Sequence, residues 1–339
     1  MLWSDNPTWM TMVSMWLSFI YLIEVVARGP FALAMVFGQR WWRVAGAAVS
    51  FAIIAIFLYG MAVTRTDYEV RNIKIESSRL PKSFDGYRIV QFSDLHVGSM
   101  VNPEREVAEI VSIANAQQAD AIVFSGDLIE IRESELTPNI TATLRQLRAK
   151  DGIYSVTGNH DRGVYLRDSI TLTPAMTTAQ VIATERAMGW RVLDDESAYI
   201  HRDGDSISIT GISFSEVLQE KRHSSNLPEI GIERAYKGLS SNTFNITISH
   251  IPQLWDNITE LGMADLTLSG HVHAMQIKLP IGKRGISPSQ IMHKRWSGLY
   301  EERGRWLYIN DGIGCAMWPM RIGVRPEITV IELVTAPHN

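Results

Sequence analysis

The chain has a single cysteine, Cys315, among 339 residues. One cysteine excludes an intrachain disulfide and any cysteine-rich zinc module, and it leaves the redox compartment open. Basic residues are missing where a targeting signal needs them. The first is Arg28, and without a basic start or a small-residue cleavage site the opening segment does not read as a cleaved signal peptide. A net charge of −4, with no Lys/Arg stripe between aromatics, argues against a nucleic-acid partner. Internal repeats and low-complexity tracts are absent, and 46% hydrophobic with 20% charged residues is the composition of an ordered chain.

What is present begins with apolar runs. Residues 44–63, VAGAAVSFAIIAIFLYGMAV, carry no charge. At about 1.5 Å per residue they reach roughly 30 Å, the hydrocarbon thickness, which predicts a transmembrane helix. An earlier run, TWMTMVSMWLSFIYLI at 8–23, has Trp3, Trp9, Trp16 and Tyr21 in or beside it and can extend past Glu24, predicting a second span over about 8–28. The linker at 28–43 places Arg28, Arg40 and Arg43 beside Trp41 and Trp42, a composition suited to the headgroup region. Residues 1–63 are therefore expected to be a membrane anchor, 64–85 a connector and 86–339 a catalytic domain. The connector alternates around Val70, Ile73 and Ile75, as an edge strand does.

Two spans put the amino terminus and the domain on one side of the bilayer and the arginine-bearing loop on the other. Those arginines, with none before the first span, favour an extracytoplasmic domain at the cell (inner) membrane. Arg65, Arg71, Lys74 and Arg79, soon after the second span, favour the opposite side.

In the domain, apolar runs of strand length end repeatedly in side chains with metal-ligand chemistry. YRIVQFS leads into Asp94 and His96, AIVFSG into Asp127, GIYSVTG into Asn159, His160 and Asp161, FNITIS into His250, and LTLSG into His271 and His273. Helical patterns separate the early ones, PEREVAEIVSIANAQQ and ITATLRQLRA. This is the α/β alternation in which ligands gather beyond the carboxyl ends of strands. Each tip alone also reads as a polar turn or a core histidine. Together they hold five of the nine histidines, while His201, His223, His293 and His338 lie in polar surroundings and read as surface residues. If residues 270–273 are extended, His271 and His273 point the same way and reach one centre.

The ordered blocks DLH, GDLIE, GNHD, SH and GHVH resemble the calcineurin-like metallophosphoesterase superfamily, and the ending YINDGIGCAMWPMRIGVRPEITVIEL is similar to its membrane-associated bacterial branch. The resemblance covers most of residues 86–334. It implies an α/β fold, a sandwich of two mixed β-sheets flanked by helices, here preceded by the transmembrane helices. It also implies a phosphoesterase, phosphatase or pyrophosphatase reaction at two divalent metal ions, which activate water and stabilise phosphoryl charge. Asp94, His96 and His273 would bind one ion, Asn159, His250 and His271 the other, with Asp127 bridging. His160 would face the substrate, Asp161 would fix the turn, and Glu130 would be the acidic partner of His160.

Imidazole, carboxylate and amide ligands without thiolate suit Mn, Fe, Zn or Co. The expected partners are a phosphoester and the bilayer, and the tether favours a lipid-linked phosphoester or pyrophosphate. Two alternatives stay open: a phosphohydrolase for soluble substrates, and a catalytically silent membrane scaffold. Residues 281–300, with Lys283, Arg284, Lys294, Arg295, Ile286, Ile291 and Trp296, suit a lid, a membrane-facing surface or a solvated loop.

Overall fold

The computed structural model describes residues 8–166, 172–215, 232–282 and 284–337. Trp3, His223, Lys283 and His338 lie outside the described residues. Two six-stranded mixed sheets stack face to face. The first has the order β1-β12-β2-β3-β4-β5, formed by β1 (Glu69–Ser77), β2 (Tyr87–Phe92), β3 (Ala121–Phe124), β4 (Ile153–Ser155), β5 (Arg191–Val192) and β12 (Glu327–Thr335). The second has the order β10-β11-β9-β8-β7-β6, formed by β6 (Glu196–Arg202), β7 (Asp205–Ile212), β8 (Phe244–Ser249), β9 (Leu266–Ser269), β10 (Gly298–Glu302) and β11 (Arg305–Ile309). The strand expected in the connector is β1, an edge strand parallel to β12.

Strand period sets the layers. On β2, Val90 and Phe92 pack with Val107 and Ile110 of helix α3 (Pro103–Ala116), while Tyr87 and Ile89 face Ile207, Ile246 and Leu268 of the second sheet. Successive side chains point to opposite faces, so one strand feeds both cores. Burial on both faces explains the near-continuous apolar runs of β2, β3 and β9. The polar residues of β8 are satisfied sideways: Asn245 Nδ2 donates to Ser208 and Thr210 at 2.9 and 2.8 Å, and Thr247 donates back to Asn245 at 2.7 Å. Helix α4 (Pro138–Leu144) is shorter than its apolar pattern, because the amides of Gln146 and Leu147 bond three residues back and close the chain into turns.

The apolar runs form an antiparallel hairpin of α1 (Thr8–Val36) and α2 (Arg40–Ala62). Both helices are longer than expected, and most of the anticipated linker is helical. Pro30 lies inside α1 and does not stop it. The turn is only residues 37–39, with Gly38 at φ +71°. At its other end the hairpin docks on the domain: Phe19 and Phe57 pack against Met320, with Trp318 and Ile322 beside them. Contact is close at Gly60, where an added Cβ would meet the Arg321 carbonyl at 2.7 Å.

Candidate metal centre

The five loops beyond β2, β3, β4, β8 and β9 converge. Asp94 amide donates to the Gly126 carbonyl at 2.8 Å, and His96 amide to the Asp127 carbonyl at 3.2 Å, so the first two loops are cross-braced. Gly126 has φ +98°, and a Cβ there would lie 2.7 Å from His250 Nδ1, so glycine is needed for both conformation and space. Asp161 binds the loops together. Its carboxylate accepts from the amides of Asp127 (2.7 Å), Leu128 (2.9 Å), Ile129 (3.2 Å) and Gly158 (2.9 Å). Burial and then the Asp127 carboxylate push its pKa up to about 7, with those amides pulling the other way. It fixes the turn, as its place in the GNHD block suggests.

Two clusters of donor atoms result. In one, His273 Nε2 lies 3.1 Å from Asp94 Oδ1 and 3.2 Å from His96 Nε2. In the other, His250 Nε2 lies 3.1 Å from Asp127 Oδ2 and 3.0 Å from Asn159 Oδ1, and His271 joins Asp127 and His250 within ligating reach. Asp127 Oδ2 is 3.8 Å from His96 Nε2, so its carboxylate sits between the clusters. All seven residues are buried or nearly so.

His271 and His273 reach the clusters by a different route from the one their spacing suggests. The segment is a tight turn, not extended: both residues have left-handed backbone, φ +70° and +51°, and the Val272 amide bonds back to Gly270. Asp94, His96 and Asp127 are also left-handed, at φ +56°, +46° and +59°. Such conformations cost on the order of 1–3 kcal/mol each and gather at functional sites.

The proton positions decide what fits. His250 Nδ1 lies 2.7 Å from the Ser125 carbonyl, which can only accept, so Nδ1 carries a proton and Nε2 is the nitrogen facing the oxygens of Asp127 and Asn159. His96 Nδ1 lies 2.8 Å from Glu130 Oε2, and its Nε2 faces His273 Nε2 at 3.2 Å. Carboxylate oxygens and imidazole nitrogens gathered within ligating reach in a buried space could hold a cation. Carboxylate, imidazole and amide donors without sulfur fit divalent transition ions.

The same crowding tunes the ionisable groups. Burial opposes charge on Asp94, and His273 and His250 outweigh it, holding the carboxyl well below the usual range. Asp127 is likewise held low against burial, by His250 and His160. Burial pulls His96 down to about 4 and holds His271 well below its usual value. Burial works against the charged His250 ring as well, but Asp127 overrides it and raises the pKa to about 9, a value for the cation-free protein. Burial raises Glu130.

Glu130 reaches two histidines. Its carboxylate is 2.8 Å from His96 Nδ1 and 3.8 Å from His160 Nδ1, and His160 Nδ1 meets instead the Glu130 carbonyl at 2.7 Å. The carbonyl fixes the His160 proton on Nδ1 and leaves Nε2 as the reactive nitrogen. His160 also has a ring nitrogen within ligating reach of His96 and Asp127. Of the histidines expected at the surface, His201 is exposed, whereas His293 is half-buried with Nδ1 2.9 Å from Gln253 Nε2.

Two contributors escaped the sequence. Tyr165 lies against His160, ring centroids 4.3 Å apart, with its hydroxyl 3.3 Å from Asn159 Nδ2. The glycine-rich segment before β12 closes the centre from behind: the amides of Ile313 and Gly314 donate to the carbonyls of Ser93 and Asp94, and a Cβ at Gly312 would lie 2.7 Å from His273 Nδ1. Its glycine density was the available signal.

Comparison with known proteins gives a consistent family. The family described as calcineurin-like phosphoesterase matches residues 87–275. The uncharacterized metallophosphoesterase YkuE of Bacillus subtilis is 31% identical over 261 residues, 76% of this chain and 83% of that protein. A transmembrane protein with metallophosphoesterase domain from Danio rerio is 28% identical over 320 residues, 92% of this chain and 65% of that protein. The UDP-2,3-diacylglucosamine pyrophosphatase LpxG of Chlamydia trachomatis is 24% identical over 309 residues, 76% of this chain and 88% of that protein.

Proposed function

The chain belongs to the calcineurin-like phosphoesterases and is a metal-dependent phosphoester hydrolase; on that premise we propose that it is a membrane-anchored enzyme with two divalent cations, cleaving a phosphoester or pyrophosphate bond in a lipid-linked substrate. The observation that carries the reading is the convergence of carboxylate, imidazole and amide donor atoms at the strand ends. Asp94, His96 and His273 would hold one cation, Asn159, His250 and His271 the other, and Asp127 both. When bound, the cations supply hydroxide from water at neutral pH and offset phosphoryl charge.

The protein's own groups do the rest. The Ser125 carbonyl orients His250 by accepting its Nδ1 proton, as acceptors behind metal-binding histidines do, and the Glu130 carboxylate lies 2.8 Å from His96 Nδ1. His160, aimed by the Glu130 carbonyl, would in its doubly protonated form donate from Nε2–H to a phosphoryl oxygen and pass that proton to the leaving oxygen.

Two helices long and apolar enough to span a bilayer, the name of the Danio rerio relative and the pyrophosphatase activity named for the Chlamydia trachomatis relative support a substrate held at the membrane. Arg40 and Arg43, beside the turn of the hairpin, favour the turn in the cytoplasm and the domain outside. Soluble phosphodiesters are the competing substrate class. Rates for lipid-linked and soluble phosphodiesters, measured with the full chain in detergent, test the reading: preference for the lipid-linked compound supports it, and equal or better turnover of the soluble one overturns it.

A further inference from the structure

The mouth of the metal centre is walled partly by the membrane hairpin. A cavity of about 470 Å³ is lined by His160, Glu130 and Tyr165 from the centre, by Ala316 and Met317, and by Met10, Thr11 and Ser14 of α1. The volume falls in the range of about 300–1,000 Å³ typical of small-molecule sites. Met10 and Ser14 are four residues apart and Thr11 and Ser14 three, so they share one helical face. Trp9, Val13 and Leu17 repeat every four residues on another side and are exposed. One side of the first two turns therefore meets the cavity and another meets lipid.

The placement is fixed by specific bonds. Thr8 Oγ1 donates to Glu135 Oε1 at 2.8 Å, and the Glu135 carboxylate accepts from the amides of Glu130 (2.6 Å), Ile131 (2.9 Å) and Arg132 (3.1 Å). One half-buried carboxylate thus ties the first residue of α1 to the loop that carries Glu130 beside His96 and His160. Farther along, Phe19 packs on Met320 and the end of α2 on Arg321, so the hairpin is held at both helices. At 29 residues and about 1.5 Å each, α1 is roughly 43 Å long, which leaves its first turns beyond the hydrocarbon core, at headgroup level.

We infer that the first two turns of α1 form a wall of the substrate cleft, and that Met10, Thr11 and Ser14 seat the first carbons of an alkyl or isoprenoid chain attached to the scissile phosphoester. The inference rests on the proposed hydrolase reading and adds to it that the anchor selects the substrate. The remainder of the chain lies along the exposed side of α1 and stays in the bilayer, so the phosphoester reaches His160 without the lipid leaving the membrane.

The test uses the full-length protein in lipid nanodiscs with two p-nitrophenyl phosphodiesters, one bearing a methyl and one a dodecyl group. Ser14→Trp fills the cavity. It should lower the dodecyl-to-methyl ratio of kcat/KM by about tenfold, what losing burial of roughly two methylene groups amounts to, whereas Ser14→Ala should preserve the ratio. An unchanged ratio in Ser14→Trp, with both substrates still hydrolysed, overturns the inference and leaves the hydrolase reading intact. If the wild-type protein hydrolyses neither, the hydrolase reading falls and the inference with it. A dodecyl phosphonate with a diazirine on the second carbon gives a readout independent of activity: label within residues 9–15 supports the wall, and label confined to the rest of the chain contradicts it.

Discussion

In the metal centre charge is buried: Asp94, Asp127 and Asp161 are at most 2% exposed. In the hairpin the reverse holds, with Leu17, Leu33 and Phe51 between 62% and 74% exposed. Each region inverts the usual arrangement of a soluble protein, and each inversion names the missing partner. Buried carboxylates with facing lone pairs call for cations; outward apolar side chains call for lipid. The difference lies in precision. A bilayer accepts any apolar surface of adequate length, whereas a cation centre requires particular atoms, and left-handed backbone holds Asp94, His96, Asp127, His271 and His273, as it does several turn residues elsewhere in the domain, but no non-glycine residue in the described part of the hairpin.

The strongest way to break the comparison is to remove the cations. Chelation should abolish hydrolysis of an aryl phosphodiester and leave the hairpin's membrane association unchanged, and Mn or a similar ion should restore the rate. Full activity in stripped protein would detach the buried charges from catalysis. Next in size is His160. His160→Ala should lower kcat by about 10²–10⁴, the range for a general acid, while metal content by mass spectrometry stays at the wild-type value. Loss of metal equal to that in His250→Ala would make His160 a ligand, a role its distance to His96 and Asp127 permits.

A pH series sharpens the account of the centre. His250 rises from its ordinary value of 6.5 to about 9 in the cation-free protein because burial is outweighed by Asp127. A raised folded-state value stabilises the cation-free fold fully below pH 6.5, and that contribution is lost as pH rises through 9. Cation binding needs the neutral ring and runs the other way. Between pH 6.5 and 9 the melting temperature of stripped protein should therefore fall while cation affinity rises; parallel trends would mean that His250 is not displaced by metal.

The smallest effect is expected at the junction of the two regions. Gly60→Val places a branched side chain against the Arg321 carbonyl and should cost about 1–3 kcal/mol, as overpacking does. It should appear as a lower melting temperature in detergent, with kcat changed far less than by His160→Ala.

The two regions were also unequally legible. The strand tips were readable because buried strands are continuous apolar runs that stop where a polar ligand begins, as at Phe92 before Asp94 and Phe124 before Asp127. The hairpin's existence was equally plain, but its bounds were not: Arg28, Arg40 and Arg43 beside Trp41 and Trp42 suggested a linker over 28–43, where α1 continues through Pro30 to Val36. Local spacing misled at His271 and His273, whose left-handed turn cannot be inferred from an i, i+2 interval. Glu130 was expected beside His160, and its carboxylate lies 3.8 Å from that ring, but a three-residue offset from Asp127 does not tell that its carboxylate comes closer to His96 or that its carbonyl meets His160. The wall supplied by α1 was invisible, as Thr8 and Glu135 meet only through tertiary folding across 127 residues.

The most direct test of the central claim is anomalous diffraction from crystals of the full chain reconstituted with Mn. The account predicts two peaks, one among Asp94, His96 and His273 and one among Asn159, His250 and His271, with the Asp127 carboxylate touching both. A single peak, or a second peak whose ligands omit Asp127, would contradict it.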